Sequence, residues 1–151
     1  MKVLLAIDNS AFSASVIEEV ANRKWADSTE FVVLAVVPTC SLPGSTERFL
    51  EQRKILMQAA VAKLGRKLSG FKITGEVVDG NATEEILSYA SRGNTDLIIM
   101  GAHGESGINR RRLGNTVISV VNEAPCSVEI MKPKAVPPKS NKRQKSAIGN
   151  A

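Results

Sequence analysis

Two cysteines, one histidine and no apolar run of membrane length are what this 151-residue chain has little of, and each scarcity closes off a class of function. Cys40 and Cys126 stand far apart, and neither has His or Cys neighbours at metal-ligand spacing. Free thiols are therefore expected rather than a bridge or a zinc site. Crossing a bilayer takes about 20 apolar residues, and no run comes near that length; nor does a cleavage pattern follow the short apolar stretch from Val3 to Ile7. The expected location is the cytoplasm, with no membrane partner. No Gly-Lys-Ser/Thr follows the glycines, which excludes a Walker A loop. Gly101, Gly104 and Gly107 lie late in the chain at Gly-x2-Gly-x2-Gly spacing, which excludes the dinucleotide fingerprint. No activated nucleophile or pair of metal carboxylates is evident, so neither catalytic residues nor metal ligands are assigned and the chain is read as a non-enzyme.

What is present reads as one globular domain with an extension. A hydrophobic share of 43% with 23% charged residues is ordinary for a soluble globule. The formal charge of +5 is unevenly placed: Lys132, Lys134, Lys139, Lys142, Arg143 and Lys145 occur in residues 132–151 with no acid, which leaves residues 1–131 at −1. Those last residues also hold Pro133, Pro137 and Pro138 among polar side chains, too little apolar surface to offset the entropy of ordering. The domain is thus placed at 1–131 and a disordered basic tail at 132–151. The tail is read as a solvated extension, with nucleic acid not expected as a partner.

Strand and helix patterns alternate along the domain. Lys2 to Ile7 is a strand, and Asp8-Asn9-Ser10 supplies cap residues for a helix to about Arg23, with Phe12, Val16, Val20 and then Trp25 at helical spacing. Glu30 to Val37 is the second strand, stopped by Pro38. A long helix from about Thr46 to Leu68 carries Phe49, Leu50, Ile55, Leu56, Ala60 and Leu64 as its apolar stripe. Phe71 to Val78 is the third strand, Ala82 to Arg92 a helix with Ile86, Leu87 and Ala90 inward, Asp96 to Met100 the fourth strand, Asn115 to Glu123 the fourth helix and Ser127 to Met131 the last strand. Near-continuous apolar strands separated by helices require a parallel sheet covered on both faces, and right-handed crossovers make it doubly wound. The fold class is α/β, a single five-stranded parallel sheet with helices on both sides.

Ligands of such sheets bind beyond the carboxyl ends of the strands, where the winding reverses. Asp8, Val36 and Gly101 converge on that edge. Gly101-Ala102-His103-Gly104, nine residues, then Gly114 and a helix from Asn115 form a turn whose missing side chains permit left-handed backbone and close approach of a ligand. The helix start adds unpaired N–H groups and the positive end of its macrodipole, which suits an anion such as a nucleotide phosphate.

The run Asp96-Leu97-Ile98-Ile99-Met100-Gly101-Ala102-His103-Gly104 with Gly114 after nine residues, the opening Val3-Leu4-Leu5-Ala6-Ile7-Asp8-Asn9-Ser10 with Ser13, and the ending Ala124-Pro125-Cys126-Ser127-Val128 together resemble the universal stress protein family, in its Gly-x2-Gly-x9-Gly, ATP-binding branch. The resemblance implies an adenine nucleotide alpha hydrolase-like, Rossmann-like fold and a stress-response regulatory or signalling module that binds ATP or a related adenylate. It implies Asp8 at the ribose hydroxyls, Ala6 and Ile7 beside the adenine, and Val36 offering main-chain groups and apolar surface to the base. Met100 and Gly101 would floor the pocket; Gly104, Gly114 and Asn115 would give N–H groups to the phosphates, aided by Thr116 and Val117. It also implies a homodimer paired through the last strand, Ser127 to Met131, whose alternation of Val128 and Ile130 with Ser127 and Glu129 reads as an edge.

The chain departs from the family at two positions. Asn115 and Val117 stand where the family has Ser, and then Ser or Thr, and a hydroxyl is found instead at Thr116. Phosphate or magnesium contacts through those hydroxyls lose their basis, and the ligand set widens to ADP and AMP. Two alternatives remain: a dimeric scaffold of the same fold that binds no nucleotide, and a slow ATPase. Three features also keep more than one reading. His103 is a phosphate donor or a solvated loop side chain, Asp8 a ribose contact or a helix cap in preference to a catalytic base, and Arg110-Arg111-Arg112 a solvated run from which one arginine reaches phosphate.

Overall fold

Every strand at the centre of this protein is apolar on both sides, because both sides are covered. The computed structural model describes residues 1–39, 42–105 and 112–132; Cys40, Arg110, Arg111 and the tail from 133 lie outside them. Its elements are β1 (Lys2–Ile7), α1 (Ala11–Asn22), β2 (Glu30–Pro38), α2 (Ser45–Lys67), β3 (Lys72–Gly80), α3 (Ala82–Arg92), β4 (Leu97–Gly101), α4 (Asn115–Glu123) and β5 (Ser127–Met131). The strands form one sheet in the order β3-β2-β1-β4-β5, with every pairing parallel. The expected doubly wound α/β sheet is therefore present.

The period of two along each strand sorts side chains between two cores. Val3, Leu5 and Ile7 of β1 join Phe31, Val33 and Ala35 of β2 on the face packed by α1 and α2, with Val16, Val20 and Leu64. Leu4 and Ala6 join Val32, Leu34, Ile98 and Met100 on the face packed by α3 and α4, with Ile86, Ala90, Val117 and Val120. Burying each large aliphatic side chain of this kind contributes about 1.5–3 kcal/mol. Helix starts are built locally: Ser10 accepts from the Ser13 N–H to begin α1, and Asn81 accepts from the Glu84 N–H to begin α3.

Three expectations change. β2 continues through Pro38 and β3 through Gly80, the two being register partners; proline's missing N–H costs little where a ladder ends. Trp25 lies beyond the end of α1, where its indole N–H donates to the Val20 carbonyl at 3.0 Å and its ring meets Phe31 edge-on. On α2, Ile55 is 59% exposed, whereas Arg53 is buried. The inward row runs 53, 57, 60, 64, so Ile55 falls on the opposite side of the helix.

Tyr89 of α3 donates its hydroxyl to Glu76 Oε1 of β3 at 2.9 Å. Partial burial, reinforced by the Glu76 carboxylate, pushes the phenol up to about 12. A raised folded-state value means stabilisation fully present below the unfolded value of about 10 and lost as pH climbs through the folded one. The chain has a single tyrosine, so phenolate absorbance reports it alone. The expected titration midpoint lies near 12 in the native protein and falls toward 10 in denaturant, with Glu76→Gln lowering the native value.

Candidate functional site

The winding reverses between β1 and β4. There the chain leaves β1 for one face and β4 for the other, so no crossover helix covers the strand ends, and a crevice of about 610 Å³ opens. That volume is in the range of small-molecule sites. Ala6, Ile7, Asp8, Val36, Met100, Gly101, His103, Gly104, Gly114, Asn115, Thr116 and Val117 all line it. The strand period gives them different parts. Ala6 and Met100 turn toward the α3/α4 face and, with Leu34, Val36, Ile86 and Val117, give the crevice an apolar wall. The Ile7 side chain belongs to the opposite core.

At one end stands Asp8, half-buried just past β1. Its Oδ1 accepts from the Ser10 N–H at 3.1 Å and the Ser13 hydroxyl at 2.9 Å, and its Oδ2 accepts from the Glu105 N–H at 3.0 Å. The Ser13 hydroxyl in turn accepts from the Asp8 N–H at 2.8 Å. Ser10, not Asp8, is the N-cap of α1. Asp8 instead orients that turn and presents a carboxylate to the crevice.

At the other end α4 begins. Its N-cap is Gly114, which has no side chain to cap the first turn. The N–H groups of Asn115, Thr116 and Val117 fall in the turn that lacks intrahelical acceptors, at the positive end of the helix dipole. The Gly114 N–H is not among the available donors, contrary to expectation: it donates to the Ala102 carbonyl at 3.0 Å. Arg112, exposed, lines the crevice beside this turn.

The glycines act by proximity rather than by left-handed backbone. Among the described residues positive φ occurs at Gly44, Gly70, Gly80 and Asn94, and not at Gly101, Gly104 or Gly114. A Cβ on Gly101 would lie 2.6 Å from the Phe12 Cβ, and one on Gly104 would lie 2.8 Å from Asp8 Oδ2. Bare backbone at these positions lets the first turn of α1 and the Asp8 carboxylate come close. His103 is not a solvated side chain: it is 6% exposed and packs edge-on against Phe12, ring centroids 4.9 Å apart.

Two residues of the crevice carried no sequence signal. Arg53, whose side chain is 3% exposed, donates through Nε to the Val36 carbonyl at 3.1 Å and through both terminal nitrogens to Glu105, at 3.0 and 2.8 Å. Glu105 Oε1 also accepts from the Asn9 N–H at 3.2 Å. Only the position of Arg53 on the inward row of α2 could have pointed to it. Together the features suit a ligand with a flat apolar part, hydroxyl donors beside Asp8 and an anionic part at α4.

A sequence model of the universal stress protein family matches residues 1–132. A universal stress protein of Methanocaldococcus jannaschii is 30% identical over 138 residues, which cover 87% of this chain and 81% of that protein. The universal stress protein UspA from Lactobacillus plantarum superposes with a TM-score of 0.74 at 23% identity, over 87% of this chain and 97% of that one. A universal stress protein family protein from Arabidopsis thaliana, solved with AMP bound, superposes with a TM-score of 0.63 at 17% identity, over 89% of this chain and 93% of that one. At these identities the two structures attest the fold.

Gly101→Ala would press its methyl on a Cβ rather than on a flexible side-chain end. The expected outcome is a loss of about 1–3 kcal/mol in urea unfolding.

Proposed function

This chain belongs to the universal stress protein family, and from that premise we propose that it is a cytoplasmic adenine-nucleotide-binding regulatory module. The observation that carries the reading is the union, in one crevice, of the apolar wall at Ala6, Val36 and Met100, the Asp8 carboxylate and the uncapped first turn of α4. The base lies against the wall, the ribose hydroxyls face Asp8, and the phosphates take the N–H groups of Asn115, Thr116 and Val117 with Arg112 alongside. The AMP bound by the Arabidopsis relative supports an adenylate as the ligand. Among residues 115–117 a hydroxyl is present only at Thr116, so phosphate and any accompanying magnesium have one side-chain hydroxyl here.

Binding rather than turnover is the role proposed. Asp8 accepts hydrogen bonds on both oxygens from the protein's own donors, which suits a fixed acceptor better than a base that must take up a proton. The proposed assembly is a homodimer joined along β5, Ser127–Met131, which lies at an edge of the sheet with one strand neighbour.

Added ATP, ADP or AMP is expected to raise the melting temperature. At about 100 times Kd the gain is about 2.7 kcal/mol, a shift of several degrees, and Asp8→Ala should abolish most of it. Chromatography of the heat-denatured, freshly purified protein is expected to release adenine nucleotide. Unchanged melting with all three ligands would refute the reading, and phosphate release lost in Asp8→Ala would refute the non-enzymatic role. Sedimentation at micromolar concentration is expected to show a dimer; a monomer alone would remove the β5 pairing.

A further inference from the structure

Arg53 is the one lysine or arginine buried among the described residues, and nothing in the proposed binding of base or phosphate uses it. It reaches from α2 around the carboxyl edge of the sheet, anchored by its Nε on the Val36 carbonyl. Its two terminal nitrogens grip both oxygens of Glu105, in the fork geometry at which arginine excels. The Asn9 N–H adds a third donor to that carboxylate. Glu105 is thereby fixed by three donor nitrogens from two segments, α2 and the turn after β1, and its own backbone N–H is delivered to Asp8 Oδ2 at 3.0 Å.

That N–H changes what Asp8 can accept. A carboxylate has about four acceptor sites. Ser10 and the Ser13 hydroxyl occupy both on Oδ1, and Glu105 occupies one on Oδ2. A single site is left, on Oδ2, where Gly104 keeps the surroundings free of a side chain. The two hydroxyls of a ribose cannot both be received there.

We infer that the Arg53–Glu105 clasp is a specificity-determining pair that makes Asp8 read one sugar hydroxyl instead of two. This rests on the proposed adenylate site and adds the part of the ligand to which the site is indifferent. Nucleotides lacking the unread hydroxyl, or bearing a substituent that removes it as a donor, fall within the ligand class. Neither Arg53 nor Glu105 touches the base; both act through Asp8.

The test is calorimetric titration of the full chain with AMP, 2′-deoxy-AMP and 3′-deoxy-AMP. One deoxy form is expected to bind about tenfold or more weakly, the loss of a hydrogen bond to a charged acceptor, and the other within about threefold of AMP. In Glu105→Ala the released N–H frees the second acceptor site, and both deoxy forms should bind at least about fivefold more weakly than AMP does to the same variant. Should the uncompensated Arg53 unfold that protein, the joint replacement Arg53→Met with Glu105→Ala removes both charges and carries the same readout. Comparable losses for both deoxy forms in the unaltered protein, or an unchanged ratio in the folded variant, would overturn the inference while leaving adenylate binding intact. No binding of AMP at all would overturn the adenylate reading and this inference together.

Discussion

The reversal of winding between β1 and β4 is the constraint on which the rest of the molecule depends. Parallel strands can be joined only by crossovers, and each crossover commits a helix to one face. With β1 central, α1 and α2 fall on one side and α3 and α4 on the other. The strand ends between the two sets stay uncovered. An apolar wall is then unavoidable at the crevice, because the side chains that would have met a covering helix are still those of core strands. The polar groups stand at its two ends, Asp8 with its donors at one and the bare start of α4 at the other.

Close approach is the second theme. At Gly101 the first turn of α1 leans on the backbone of β4, and Phe12 and His103 seal the contact with their rings. At Gly104 the backbone passes within reach of Asp8. Both contacts pull the α1 side of the protein toward the loop after β4, and the Arg53–Glu105 clasp ties the same loop to α2. The start of α1 and the loop after β4 thereby meet at the Asp8 carboxylate, and α2 braces the loop. Its position is overdetermined, as a fixed acceptor needs to be.

Much of this was legible in the residues. The unbroken apolar runs of β1 and β4 demand cover on both faces, and the glycine spacing with Asp8 marks the edge of the sheet at which the crevice opens. Legibility failed where a side chain acts against its type. Counting apolar residues along α2 selects Ile55, which faces water, and passes over Arg53, whose aliphatic stem runs with the inward row while its charge finds partners far away in sequence. Glu105 gives no signal either, since its partner lies 52 positions earlier. Glycine allows both unusual dihedrals and close contacts, and sequence alone cannot tell which is in use; at Gly101 and Gly104 it is contact. The Gly114 N–H is illegible for a related reason, because the carbonyl that takes it, at Ala102, lies well before the helix rather than along it.

That last hydrogen bond has a wider consequence. Ala102 receives the Gly114 N–H while giving its own to the Met131 carbonyl at the end of β5. The departure point and the return point of the segment between β4 and α4 are thereby stapled together and moored to the sheet. Chain length between the staples is decoupled from the scaffold, for closing a somewhat longer excursion costs only the slow logarithm of its size. A change in chain length between Ala102 and Gly114 can therefore leave every strand register untouched. The fold gains a place where variation in length is cheap, its two ends held at Ala102 and Gly114.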